Sequence, residues 1–225
     1  MVFAGTFFAE LLLLFLVSRT LTINLSMLFF RATKSKTITI YLLSILFFPG
    51  TIIHELSHYF MAGILFVPVG AIELIPKLEG DHVKMGSVQV AETDIFRRFL
   101  IGAAPFLFGV SLLLGLLFYG AAVHLFANQW FTIAMLYVAF QIGNTMFSSK
   151  KDMEGALELF GVVLFFVIVF YFLGVRIPSF NPELLFGNPT AIQMFKQGSL
   201  FLLLPLGIDL LIILLVRLTL FKKIK

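Results

Sequence analysis

The chain has 225 residues, of which 60% are hydrophobic, with no cysteine and a formal net charge of +4. A soluble domain is about 45–50% apolar, so this composition and a mean hydropathy of +1.05 exclude an ordinary water-soluble fold. The missing cysteines exclude disulfides and thiolate chemistry, and the basic residues lie in short loops and at the C-terminus, the place of topology determinants and not of a nucleic-acid footprint.

Several apolar runs reach the length needed to cross a bilayer, and the expected fold is a polytopic α-helical membrane protein with about six transmembrane helices. A small β-hairpin is expected between helices two and three. The protein is expected to be integral and multi-pass, with the cell membrane as the default. Three regions follow: 1–37, a first membrane helix and a basic interfacial segment; 38–160, a core carrying the chemistry; and 161–225, two further membrane segments and a basic C-terminus.

Residues 3–18 form the first apolar run and contain Glu10, read as a protonated or interface-facing carboxylate. No basic stretch precedes the run, so it reads as a retained membrane segment and not a removed signal peptide. Residues 21–30, with Arg31, Lys34 and Lys36 behind them, read as an interfacial amphipathic segment. They could instead extend the first helix, leaving Arg19 to snorkel.

The second helix, 38–65, carries Pro49-Gly50-Thr51-Ile52-Ile53-His54-Glu55-Leu56-Ser57-His58. This contains H-E-x-x-H, in which the two histidines share one face of a helix, one turn apart. A tetrahedral Zn²⁺ can take a nitrogen from each, while Glu55 projects from an adjacent face and can act as general base toward a zinc-bound water. A histidine in an apolar helix is ordinarily packed and hydrogen-bonded, not a ligand. Three costly residues within one turn of a lipid-embedded helix point to a functional site instead. Pro49, just ahead of His54, removes a backbone donor and is expected to break or kink the helix.

Residues 70–91 have a different texture. Two β-like stretches flank Glu79-Gly80-Asp81, which is turn chemistry. A sheet edge cannot face lipid, so this hairpin is expected at the interface or against the site. There it could hold an extended peptide by strand addition, or serve only as a connector. His82 reads as a turn residue.

The third helix, 99–127, opens near Gly102-Ala103-Ala104-Pro105, small residues that let helices approach closely. The fourth, 129–147, runs past Asn144 into a polar stretch holding Asp152 and Glu154. The fifth covers 156–175 and the sixth 199–217, the latter containing Asp209, an isolated carboxylate. Placing 73–98, Lys150, Lys151 and the C-terminus in the cytoplasm leaves Arg31 to Lys36 outside, so the basic loops divide between the two sides.

Zinc needs a third protein ligand. Asp152 and Glu154 point about 200° apart on a helix, so only one can face the metal. Spacing leaves both open and favours Asp152 slightly.

At this point the chain resembles the intramembrane zinc metalloproteases of the site-2 protease type. His54-Glu55-Leu56-Ser57-His58 matches the first motif of that family, and Asn144 and Asp152 match the second in identity and spacing. Phe147 stands where that family usually has proline, and Met153 where it usually has glycine, with Gly155 two residues late. The resemblance covers about residues 38–160. It implies His54, His58 and Asp152 as ligands of one Zn²⁺ per chain and Glu55 as general base. Asn144 would polarise the substrate carbonyl or stabilise the developing oxyanion, as a fixed amide donor can. The implied activity is zinc-dependent cleavage of peptide bonds within or beside membrane helices, with a membrane protein or membrane peptide as substrate and the lipid bilayer as surroundings. The alternative is a non-proteolytic membrane protein that keeps the site as a structural clamp or binding site. A third reading is a hydrolase acting on a lipid or other small substrate.

Overall fold

The structure is a computed structural model, and it describes residues 2–74, 77–79, 82–84, 86–124, 127–147, 152, 154–172 and 186–221. The helices are α1 (Val2–Thr33), α2 (Lys36–Leu46), α3 (Phe48–Ile64), α4 (Ile95–Ala122), α5 (Gln129–Thr145), α6 (Glu154–Phe172) and α7 (Pro189–Phe221). Helices α1, α4 and α7 are each long and apolar enough to cross a membrane, and the bent pair α2–α3 makes a fourth if counted as one span. Their outward faces agree with this. Phe8, Leu12 and Leu16 of α1 and Leu211, Leu214, Leu215 and Leu218 of α7 are more than half exposed, an apolar surface of the kind that meets a membrane or another protein.

Short polar signals set the helix ends. Asp94 accepts a hydrogen bond from the Arg97 amide and Asn128 from those of Trp130 and Phe131, so each occupies an N-cap. The ordered backbone around Asp94, first of all the Arg97 N–H, holds its carboxyl below the usual aspartate range. Helices α1, α3 and α4 end on left-handed residues that are not glycine, namely Lys34, Phe66 and His124. Within the helices, hydroxyls such as those of Thr20, Thr39, Ser44 and Ser57 donate to carbonyls one turn back. A hydroxyl satisfied inside its own helix can be placed in an apolar medium at low cost.

The expected interfacial segment at 21–30 is part of α1, which runs unbroken to Thr33, so the alternative reading holds. The break expected near Pro49 is present. Helix α2 ends at Leu46, Pro49 lies in the first turn of α3, and the two axes meet at 71°.

Helix α1 packs along the whole of α7. Phe7 touches Phe195, Ser199 donates to Glu10, Arg217 reaches Asn24, and Arg31 Nη1 donates to the Leu220 carbonyl at 2.7 Å. The partners advance together in number, so the two helices are parallel. Among the described residues three helices, or four spans if the bent pair counts as one, are long and apolar enough to cross a membrane, so six crossings are not shown. By the same pairing of α1 and α7, Arg31 and the end of α7 share one end of the bundle. The Ser199 hydroxyl also explains how Glu10 is accommodated on an apolar helix. Leu14 and Leu21 of α1, Ile142 of α5 and Leu202 of α7 are almost wholly buried and form the centre of the bundle.

Between α3 and α4 the chain forms two antiparallel ladders. Strand β1 (Val69–Glu73) pairs with β4 (Ser87–Val90), with Val69 opposite Val90, Ile72 opposite Val88 and an irregularity between. Inside that pair, β2 (Lys77–Glu79) meets β3 (His82–Lys84). The small β element thus stands where the sequence places it. The Gly80-Asp81 turn and the side chain of His82 lie outside the described residues.

Candidate metal centre

Helix α3 is aimed by its break. Gln141, on α5 and 1% exposed, donates through Nε2 to the Leu46 carbonyl at 2.7 Å and accepts the Gly50 N–H on Oε1 at 3.3 Å. In an unbroken helix Gly50 N–H would bond Leu46 C=O directly. The Gln141 amide is therefore inserted into that missing rung and satisfies both halves. This residue was not among the expected site residues. A lone glutamine in an apolar run is the signal that could have drawn attention to it.

The next turns of α3 present His54, Glu55 and His58. His54 Nδ1 lies 2.6 Å from the Thr145 carbonyl, and His58 Nδ1 lies 2.7 Å from the Ile101 carbonyl. A carbonyl only accepts, so each Nδ1 carries a proton, and in the neutral imidazole Nε2 then presents its lone pair. The two Nε2 atoms are 3.3 Å apart. Asp152 Oδ1 is 3.4 Å from His58 Nε2, and Oδ2 is 3.6 Å from His54 Nε2. Four ligands on a tetrahedral zinc with bonds of about 2.0–2.1 Å are separated by edges of about 3.3–3.4 Å. The two Nε2 atoms are thus about one such edge apart, the Asp152 carboxylate lies against both, and one ligand atom from each residue falls within 4.8 Å of the others, a group that could hold a metal ion.

The side chains of His54, His58 and Asp152 retain 13%, 9% and 17% exposure, so the cluster is only partly closed off from its surroundings. Asp152 comes in along α4, where a Cβ added to Gly102 would collide with the Asp152 carbonyl oxygen. Glycine is what lets the loop approach this closely. Phe147, in the place of the usual proline, packs edge-on to Phe15 at 5.2 Å and near Phe106, which ties the end of α5 to α1 and α4. Met153 and the Glu154 side chain lie outside the described residues.

Glu55 is 7% exposed, and the chain at the start of β4 lies against it. A Cβ on Gly86 would stand 2.9 Å from Glu55 Cγ and Oε1. The β element therefore covers the carboxylate of α3.

Asn144 has a different setting from the one implied. Its Nδ2 donates to the Phe140 carbonyl at 2.9 Å and to Asp209 Oδ1 at 2.8 Å, so both amide hydrogens are committed. Asp209, 0% exposed on α7, is thus the partner of Asn144 and not isolated. Asn144 Oδ1 and Asp209 Oδ2 are buried with no hydrogen-bond partner among the described residues. The structure brings His54, His58 and Asp152 together, sets Glu55 beside them, and turns the Asn144 amide toward α7.

Compared with protein-family models, curated proteins and solved structures, the chain matches none.

Proposed function

We propose that this chain is a zinc-dependent endopeptidase of the site-2 protease type, acting on peptide bonds within or beside membrane helices. The observation that carries the proposal is the three-donor cluster. His54, His58 and Asp152 bring ligand atoms within 4.8 Å of one another, with a glutamate next in sequence to the first histidine and buried beside them. A purely structural site has no use for such a base.

A bound zinc would supply Lewis-acid polarisation of the scissile carbonyl and lower the pKa of water. The rest falls to the protein. Glu55, screened from bulk water by the start of β4, takes a proton from the attacking water and delivers it to the departing amine nitrogen as the C–N bond breaks. The Nδ1–H bonds to Thr145 and Ile101 keep both imidazoles in the tautomer that leaves Nε2 available. Asn144 can donate to a substrate carbonyl only by releasing Asp209 or Phe140. The β1–β4 ladder lies on the same side as Glu55 and suits an unwound, extended substrate, because a peptide bond within a helix is shielded.

The test uses purified protein and a membrane-embedded substrate. Glu55→Gln should retain zinc and lose cleavage, whereas His54→Ala and Asp152→Ala should lose zinc. Cleavage by Glu55→Gln at the wild-type rate would sink the mechanism.

A further inference from the structure

The two carbonyls that orient the histidines are available for different reasons. Thr145 is the last residue of α5, where carbonyls have no helical donor left to accept from. Ile101 is in the interior of α4, where every carbonyl is ordinarily taken by the N–H four residues on. That residue is Pro105, which lies inside α4 and is fully buried. Proline has no N–H, and its ring crowds the carbonyl four residues back and tilts it off the helix axis. The one interior carbonyl of α4 that Pro105 releases is the one that lies 2.7 Å from His58 Nδ1.

We propose that Pro105 is a positioning residue for His58: by leaving the Ile101 carbonyl without a helical donor, it reserves that carbonyl for the His58 Nδ1–H and fixes Nε2 toward the metal centre. The inference rests on the reading of His54, His58 and Asp152 as metal ligands. It goes beyond a helix kink, because it turns on a deleted donor and not on the shape of the helix. Gly102, one residue after Ile101, makes room for Asp152. A single turn of α4 therefore sets the orientation of one ligand and the approach of another.

The experiment separates donor from shape. Pro105→Ala removes the ring and restores an N–H opposite the Ile101 carbonyl. A second variant carries the α-hydroxy analogue of alanine at position 105, introduced by nonsense suppression, which removes the ring but puts an ester oxygen where the N–H would be. Co²⁺ affinity is read from ligand-field absorbance. The His58 tautomer is read from ¹⁵N shifts in the metal-free protein above about pH 8, where imidazole is neutral. Pro105→Ala should lower Co²⁺ affinity about 10–100-fold, as loss of an outer hydrogen bond to a ligating histidine does, with the ester variant within about threefold of wild type. His58 should be the Nδ1–H tautomer in wild type and ester variant, and mixed in Pro105→Ala. An equal loss in both variants, or a loss in neither, would overturn the proposal. If the wild-type protein binds no Co²⁺ or Zn²⁺, the metal reading fails, and the tautomer comparison still decides the role of Pro105.

Discussion

Replacing Gln141 with leucine keeps the side-chain volume close to the original and deletes the amide that bridges the α2–α3 break. Two backbone groups then lose their partner: the Leu46 carbonyl, bonded at 2.7 Å, and the Gly50 N–H, bonded at 3.3 Å. Leaving a buried backbone group unsatisfied costs about 1–3 kcal/mol, so the pair costs about 2–6 kcal/mol if the 71° bend is retained. The chain has one way to avoid that cost, which is to straighten and let Gly50 N–H bond Leu46 C=O. Straightening swings His54 and His58 away from the Thr145 and Ile101 carbonyls, and lost outer-shell contacts of that kind weaken metal binding about 10–100-fold. Gln141→Leu should therefore show either a marked loss of stability in an SDS unfolding titration in mixed micelles, or a loss of Co²⁺ affinity. Gln141→Glu, whose protonated carboxyl can accept from Gly50 and donate its O–H to Leu46, should fall between leucine and wild type. A leucine variant with wild-type unfolding and wild-type Co²⁺ affinity would refute the reasoning.

Two further outcomes are expected. Gly102→Ala forces the Asp152 backbone away from α4, so Co²⁺ or Zn²⁺ affinity should drop at least about tenfold with helix content by circular dichroism unchanged. Wild-type affinity in that variant would show that the loop carrying Asp152 is placed by something else. The parallel packing of α1 and α7 puts the end of α1 and the end of α7 on one side of the membrane. The sequence has no cysteine, so Lys34→Cys and Thr219→Cys can each be labelled with an impermeant maleimide in sealed vesicles. The two positions should react from the same side, and labelling from opposite sides would contradict the parallel arrangement.

Local chemistry made much of this protein legible from its residues. The apolar runs, the break at Pro49, the shared face of His54 and His58 and the β element after α3 all depend on neighbours within a few turns, so periodicity and turn chemistry reveal them. The continuation of α1 through residues 21–30 is ambiguous in the sequence because a short run with Thr22 and Asn24, followed by Arg31, Lys34 and Lys36, imitates an interfacial helix. In the fold their side chains bond within α1 or across to α7.

The sequence by itself determined that the chain is built from long apolar runs and that two imidazoles and a carboxylate sit on one helix, because a helix places residues four apart on one face whatever surrounds it. Only the tertiary structure decided what meets that face. It brings Asp152 to the two Nε2 atoms, Gln141 into the broken rung, the Ile101 and Thr145 carbonyls to the Nδ1 atoms, and Asp209 to Asn144. Each of these joins segments far apart in the chain. Their pairing depends on which helices pack and at what angle, and such packing leaves no periodic trace in a single sequence.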